Sequence, residues 1–358
     1  MGGQKGIYLF LHYFSRYCDI TCYTTKNNET TGKENFKIKP ILSNSKLRYV
    51  NLFYFFRLKK DLRKEGIKHL VLEHPYYGWL GILLKWFSGI QLIVHSHNIE
   101  SLRFKTTGKW WWRILWLYEK RVHRIADKSF FISNEDRRYA IEHFGLKEEK
   151  CIVVTYGTEQ SGPPSENEII AAKQEIYTRH TIDKNDILLL YNGTLDYPPN
   201  LKGLDTILNI LNPLLEKQKN YSFTTIICGS KLPGKYNKLE DYKNHKIVYA
   251  GFVEDIRSYF FACDIFINPI TDGGGIKTKL VEALAANRSA VSFANGAIGI
   301  PAEVTGNKLI TVPGNDAVSF AKAIQSAAGT IKDSIPGTFY NHFFWDNIAK
   351  KAAFFIDK

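Results

Sequence analysis

Methionine is almost absent: Met1 is the only one in 358 residues, so the sequence has no internal alternative start. Cysteine is scarce too. Cys18, Cys22, Cys151, Cys228 and Cys263 are odd in number and scattered, and none falls in a Cys-x-x-Cys pair. That excludes a disulfide framework and a cysteine-based zinc set, and it suits a reducing compartment. Long apolar runs are also missing. The longest, Tyr76–Phe87, is broken by Lys85 and falls short of the roughly 20 residues that span a bilayer. The first residues have no clean apolar stretch leading to a small-residue cleavage site, so no signal peptide is expected. Helix-turn-helix, zinc-finger and RNA-recognition patterns, fixed-period repeats and low-complexity tracts are all absent.

Acidic residues are short only in the first half. Residues 1–160 hold 27 Lys+Arg against 15 Asp+Glu, whereas residues 161–358 hold 21 against 20. The net charge of +13 therefore sits almost entirely in one half, which points to two parts with different partners. Hydrophobic residues at 44% and charged residues at 23% match a globular chain and exclude wholesale disorder. At roughly 150 residues per domain, the length implies two domains.

Short β-branched runs alternate with longer amphipathic stretches, the pattern of βα units on a parallel sheet. In the first half, strands are predicted at 20–24, 69–73, 92–95, 129–132 and 152–154. Helices are predicted at 8–17, 47–65, 77–87, 110–125 and 135–144. The periodicity stops at Ser161-Gly-Pro-Pro-Ser165, which reads as a linker. The alternation then resumes, with strands at 187–191, 222–228, 246–249, 265–268, 289–293 and 308–311. Helices are predicted at 202–218, 255–261, 276–286 and 317–327, and a last amphipathic run covers 340–356. The fold class is α/β: two Rossmann-like doubly wound domains, with ligands at the carboxyl ends of the strands in a central cleft. The expected boundaries are 1–160, 161–335 and a C-terminal helical segment, 336–358, packing back on the first domain.

The densest chemical signal is Thr271-Asp-Gly-Gly-Gly-Ile-Lys-Thr-Lys-Leu-Val-Glu-Ala-Leu-Ala285, which follows a strand and opens a helix. Gly273, Gly274 and Gly275 let the backbone approach a ligand closely, and the helix start offers free N–H groups and a positive dipole end. That combination suits a diphosphate. Ile276, Leu280 and Leu284 recur at helical spacing and face the core. Lys279 and Glu282, three apart, share another face, where an ammonium neutralises phosphate and a carboxylate accepts from ribose hydroxyls. A glycine turn beside a solvated Lys–Glu pair would look the same at this level.

That segment, with YNGTLDYPPNLKG (191–203), YAGFVEDIRSYFFACDIFINP (249–269) and NGAIGIP (295–301), resembles family-4-type glycosyltransferases of GT-B architecture, in their GGG-type branch. The first half agrees through Gly2-Gly3 at a helix start, HSHNIESLRF (95–104) and VTYGTE (154–159). The resemblance implies a retaining enzyme whose second domain binds a nucleotide-diphosphate sugar and whose first binds a glycan or lipid-linked acceptor. It places Glu282 on the ribose, Lys279 at the diphosphate, the N–H groups of Gly274 and Gly275 near sugar and phosphate, and Val253 beside the base. His97 takes the place of the histidine beside the transferred sugar. Surface polysaccharide synthesis is the implied setting, with no cofactor and no metal. The absence of any Asp-x-Asp argues against a metal-dependent GT-A transferase.

Three departures stand out. Relatives often carry a second glutamate where this chain has Gly274, and an arginine where it has Thr194, for which Lys202 is a candidate substitute. They also have a strand ahead of the Gly2-Gly3 loop. A missing central strand would strip ladder partners from its neighbours, so an impaired, transferase-like binding protein is one alternative. A GT-B sugar-nucleotide epimerase is another, although the sequence supplies no set of catalytic carboxylates and histidines for it.

Other polar residues read more plainly. His95 and His97 are expected on opposite faces of their strand, which argues against a shared metal, and Glu73-His74-Pro75 reads as a strand end with a capping or loop role. Two segments mix aromatics with cations: Phe53–Arg57 with Lys59, Lys60, Arg63 and Lys64, and Lys109–Trp116 with Lys120, Arg121 and Arg124. Such helices lie in the interface of an anionic membrane, so a peripheral position on the cytoplasmic leaflet is expected, and no nucleic-acid partner. The competing reading packs the tryptophans in the core.

Overall fold

The computed structural model describes residues 2–28, 32, 34–272 and 275–357. The chain divides into one unit of Met1–Gly157 with Trp345–Lys358, and a second of Thr158–Phe344. The first boundary lies three residues before the expected one. The helical run expected at 336–358 splits at Phe344, and only its second half belongs to the first unit.

The first unit begins with helix α1 (Gly2–Phe14), then β1 (Thr21–Thr25) and β2 (Lys37–Leu42), which pair in parallel as a sheet of their own. After α2 (Phe53–Glu65), a four-stranded parallel sheet is built from β3 (His69–Glu73), β4 (Gln91–Ser96), β5 (Lys128–Phe131) and β6 (Cys151–Val153), in that order. Connecting helices are α3 (Gly78–Ser88), α4 (Glu100–Thr106), α5 (Trp112–Ile125) and α6 (Asn134–Tyr139). Alternation along β4 sets the layers. Leu92 and Val94 pack with Leu72, Ile82 and Val122 on the face covered by α3 and α5. On the other face the His95 ring lies 5.3 Å from Phe10 of α1. Phe10 is in turn 6.5 Å from Trp345, the first residue of the chain's last helix, α15 (Trp345–Asp357).

The second unit holds helices α7 (Glu166–Arg179), α8 (Pro198–Thr206), α9 (Asn212–Glu216), α10 (Ile256–Ala262), α11 (Thr278–Ala285), α12 (Ala302–Thr305), α13 (Ala317–Gly329) and α14 (Gly337–Phe343). Its strands are β7 (Ile187–Asn192), β8 (Phe223–Cys228), β9 (Ile247–Gly251), β10 (Ile265–Asn268), β11 (Ser289–Phe293) and β12 (Leu309–Val312). They form one parallel sheet in the order β12-β11-β10-β7-β8-β9. Each strand reads as a nearly unbroken apolar run because helices cover both faces. Leu188, Leu189, Leu190 and Tyr191 are fully buried in β7. The chain steps from β7 to β8 on one side and later returns to β10 on the other. The carboxyl ends of β7 and β10 therefore flank the topological switch point, where open α/β sheets take ligands.

Four elements, β2, α4, α7 and α12, were not predicted. β2 is short and contains Pro40 among lysines, so its pattern does not read as a strand. Helix α7 begins right after the linker at Ser165, whose hydroxyl and Glu168 form a capping box.

The carboxyl ends of β7 and β8 meet closely. A Cβ on Gly229, just past β8, would lie 2.0 Å from the Gly193 carbonyl oxygen, just past β7. Gly229→Ala must therefore spread these strand ends, and a loss of about 1–3 kcal/mol of folding stability is expected in urea denaturation. An unchanged midpoint would contradict this packing.

Candidate functional site

In the second unit the site forms around Lys279, in the first turn of α11. Leu280 and Leu284 of that helix are fully buried, which pins its opposite face to the sheet and turns Lys279 toward the end of β7. The Lys279 ammonium donates to the Asn192 carbonyl at 2.6 Å and to Asn200 Oδ1 at 3.2 Å, and lies 5.1 Å from the Tyr191 ring centre. No carboxylate pairs with it among the described residues. Burial, and after it the nearby Lys277 ammonium, push Lys279 down to about 7; burial likewise brings Lys277 to about 8. Two lysines at the switch point whose charged forms burial disfavours make a place that suits an anion. Two buried amide oxygens in the same sheet, Asn192 Oδ1 and Asn268 Oδ1, end β7 and β10 without a hydrogen-bond partner among the described residues.

The other second-domain candidates distribute around this point. Gly275 has φ +68°, a left-handed conformation that favours glycine, three residues before α11. Gly273 and Gly274 lie outside the described residues. Glu282 is half-buried one turn after Lys279, and Val253 is half-buried in the loop between β9 and α10. Thr194 is exposed, and its carbonyl accepts from Asn200 Nδ2 at 2.9 Å. Asn200 thus joins the Thr194 turn to Lys279, a link the sequence reading missed. Lys202 is exposed and paired with Asp272 at 2.9 Å, so its charge is already engaged by a carboxylate.

In the first unit, β3 and β4 are in register with Glu73 opposite His95. Glu73 Oε1 lies 3.2 Å from His95 Nδ1, and Glu73 Oε2 lies 2.6 Å from His97 Nε2. The two rings are 4.3 Å apart. This corrects the expectation of opposite faces: residues two apart along a strand share a face, and His97, one residue past the end of β4 at Ser96, lies with His95 over Glu73. Glu73 accordingly bridges two histidines rather than capping a helix. Burial acts to raise its carboxyl, but His95 and His97 hold it well below the usual range. Burial, then His95, lowers His97 against the pull of Glu73. A neutral His97 donating from Nε2 to Glu73 presents Nδ1 as an acceptor. Burial, then His97, brings His74 down to about 4.

The turn carrying His97 is anchored behind. Glu119, fully buried, accepts from the N–H groups of Glu100 and Ser101 at 2.9 and 3.1 Å and from the Ser101 hydroxyl at 2.8 Å. Tyr76 and Arg103 both donate to Glu100. Among the described residues, Glu73, His95 and His97 are also the one trio placed to hold a metal ion, their donor atoms all within 4.8 Å of one another. Gly2 and Gly3, expected as a glycine loop, already lie in the first turn of α1.

Family comparison follows the same division. Residues 2–159 match the model described as Glycosyltransferase Family 4, and residues 186–329 match Glycosyl transferases group 1. The chain belongs to the family-4-type glycosyltransferases. It is similar to the O-antigen biosynthesis glycosyltransferase WbnH of Escherichia coli, 23% identical over 286 residues that cover 79% of this chain and 74% of WbnH. Among solved structures, HepE of Anabaena in complex with UDP superposes with a TM-score of 0.74 at 13% identity, over 100% of this chain and 97% of HepE. A glycosyltransferase from Rickettsia africae gives 0.73 at 15% identity, over 99% and 95%. These likenesses establish the GT-B fold, two Rossmann-like domains. No helix among the described residues of this glycosyltransferase is long and apolar enough to cross a membrane.

The lowered lysines generate a test in the glycosyltransferase itself. At pH 8 Lys279 is largely neutral in the free protein, and a bound diphosphate favours its charged form. Binding of inorganic pyrophosphate at pH 8 is therefore expected to take up protons, measured by calorimetry in buffers of different ionisation enthalpy, and Lys279→Met is expected to lower the uptake markedly, leaving the share of Lys277. Binding without proton uptake would contradict the electrostatics described for Lys279.

Proposed function

We propose that this glycosyltransferase moves a hexose from a nucleotide-diphosphate sugar to a glycan or lipid-linked acceptor, retaining the anomeric configuration, without a metal ion. The observation that carries the reading is Lys279, desolvated and without a carboxylate at the switch point of the second domain. When the anomeric C–O bond breaks, the departing β-phosphate oxygen gains negative charge. Lys279 and the N–H groups at the start of α11 stabilise that charge, which is the work a metal would otherwise do. The acceptor hydroxyl bonds to the anomeric carbon on the face the phosphate leaves, and its proton passes to that phosphate oxygen. No protein nucleophile is required. Glu282 accepts from the ribose hydroxyls, and the main chain at Val253 holds the base. Gly275 brings backbone close to the sugar and phosphate. Thr194 and Lys202 have the weakest support as donor contacts, one exposed and the other engaged by Asp272. In the first domain, His97, its tautomer set by Glu73, accepts from a sugar hydroxyl through Nδ1.

Surface polysaccharide assembly is the setting that the relatives' names support: WbnH and the probable O-antigen glycosyltransferase WbiN, the latter also 23% identical over 286 residues. The first domain adds support for a lipid-linked acceptor. Phe53, Phe56, Trp86 and Trp110 are more than half exposed, while Lys59 lies 5.5 Å from the ring centres of both Phe55 and Phe87. The tryptophan segment divides, with Trp110 exposed while Trp116 packs 5.6 Å from Phe144. Exposed aromatics among cations suit the headgroup region of an anionic leaflet, where each basic residue adds about 1 kcal/mol. We place the enzyme on the cytoplasmic face of a membrane, where its five free thiols remain reduced.

Two measurements test these statements. A nucleoside diphosphate at 100 times its dissociation constant adds about 2.7 kcal/mol of stability. Among UDP, GDP, ADP and CMP, one is expected to raise the melting temperature clearly, with the shift lost in Glu282→Ala; no shift with any of them would overturn the donor site. Co-sedimentation with vesicles is expected to rise with anionic lipid and fall several-fold in the Phe53→Ser/Phe56→Ser double variant. Sedimentation indifferent to lipid charge would overturn the membrane reading.

A further inference from the structure

Glu73, His95 and His97 converge on one point of the first domain. His95 Nδ1 lies 3.2 Å from Oε1 and 3.2 Å from Oε2 of Glu73, while His97 Nε2 lies 2.6 Å from Oε2. The other ring nitrogen of His95 decides what this point attracts. Nε2 lies 3.4 Å from the Val154 carbonyl oxygen, which can only accept, so Nε2 carries the hydrogen. In neutral His95, Nδ1 then holds a lone pair and aims it at a carboxylate that also offers only lone pairs. Two acceptors facing each other at 3.2 Å call for a positive centre between them. A proton on Nδ1 serves that pair alone, whereas a metal ion serves His95 Nδ1, a Glu73 oxygen and His97 Nε2 together.

The surroundings support a ligand set. An imidazole N–H held by a backbone carbonyl is the usual outer support of a metal-ligating histidine, because it fixes the tautomer and orients the ring. The His95 side chain is 3% exposed, and its ring is held between Phe10 at 5.3 Å and Phe130 at 5.8 Å. Strand register fixes Glu73 opposite it. Glu73 and His97 keep 21% and 16% of their side chains exposed, so water reaches the point and can fill a fourth position. Tetrahedral zinc with bonds near 2.0–2.2 Å sets its ligand atoms about 3.4 Å apart. The His95–Glu73 spacing is already close to that, and a turn of the Glu73 carboxylate opens the shorter His97 contact. Two imidazoles and one carboxylate also select the class of ion. Nitrogen donors suit zinc and its transition-metal neighbours, whereas magnesium and calcium take oxygen.

We infer that Glu73, His95 and His97 form a binding site for one zinc-class divalent ion, with water as the fourth ligand. The ion does no work in transfer, and its binding does not depend on the reaction proposed above. Its effect on that reaction does rest on the reading of His97. With the ion on Nε2, the hydrogen of His97 sits on Nδ1, which changes from an acceptor to a donor towards the sugar hydroxyl. The ion is therefore an inhibitor.

Zinc binding is measured by competition with a chromophoric chelator, and cobalt reports the ligand set through its visible absorption. The full chain carries Cys18→Ser and Cys22→Ser, which removes the two thiols that are not buried. One ion per chain is expected, with the absorption of a four-coordinate nitrogen and oxygen site, and no binding of magnesium. Affinity is expected to fall by at least about tenfold in Glu73→Gln and in His97→Asn. It is expected to stay unchanged in His143→Asn, an exposed histidine between α6 and β6. Should Glu73→Gln fail to fold, His97→Asn, past the end of β4, decides the matter. Zinc binding that is unchanged in the folded variants, or absent with the ion in large excess, would overturn the site. Saturating zinc is further expected to lower transfer several-fold, with a chelator restoring it. Full transfer by the zinc-loaded enzyme would overturn the inhibition and the acceptor role of Nδ1, a failure distinct from loss of the site.

Discussion

A lysine ammonium held away from water at the end of a parallel sheet is the constraint on which this account depends. Lys279 is placed by the apolar face of α11 and by the order of the second sheet, which leaves the ends of β7 and β10 side by side. Its partners are an amide and a carbonyl, neutral groups that orient the ammonium without cancelling its charge. The fold therefore keeps a desolvated lysine at the switch point, whose charged form a bound anion would favour.

The first domain solves a different problem. Glu73 ties two histidines together across the register of β3 and β4, and Glu119, Tyr76 and Arg103 fix the turn that follows. This chain of buried polar contacts holds His97 in one tautomer at the end of a strand. The carboxyl edge of this sheet is thus tied by buried polar contacts, whereas its β3 side is not paired with β1 among the described residues. Polar order and an unfinished ladder sit a few residues apart on the same strand.

Most of the second domain was legible in the sequence because its strands are unbroken apolar runs and its key loop follows one of them directly. The direction of Lys279 could be read from helical spacing, since Leu280 and Leu284 specify which way the helix faces. Glu73 could not. It lies 22 residues from His95, and only strand register brings the two together. His97 was misread for a simpler reason, because residues two apart along a strand share a face rather than oppose one another. Helix α7 had its signal in Ser165 and Glu168, overlooked beside the prolines of the linker. β2, with Pro40 among lysines, carried almost no periodic signal.

The most direct measurement is the NMR spectrum of the product made from a nucleotide sugar and a lipid-linked acceptor, in the presence of a metal chelator. The account expects release of nucleoside diphosphate in step with a new glycosidic linkage of the same anomeric configuration as the donor, undiminished by the chelator. A product of inverted configuration, or transfer abolished by the chelator and restored by a divalent cation, would contradict it.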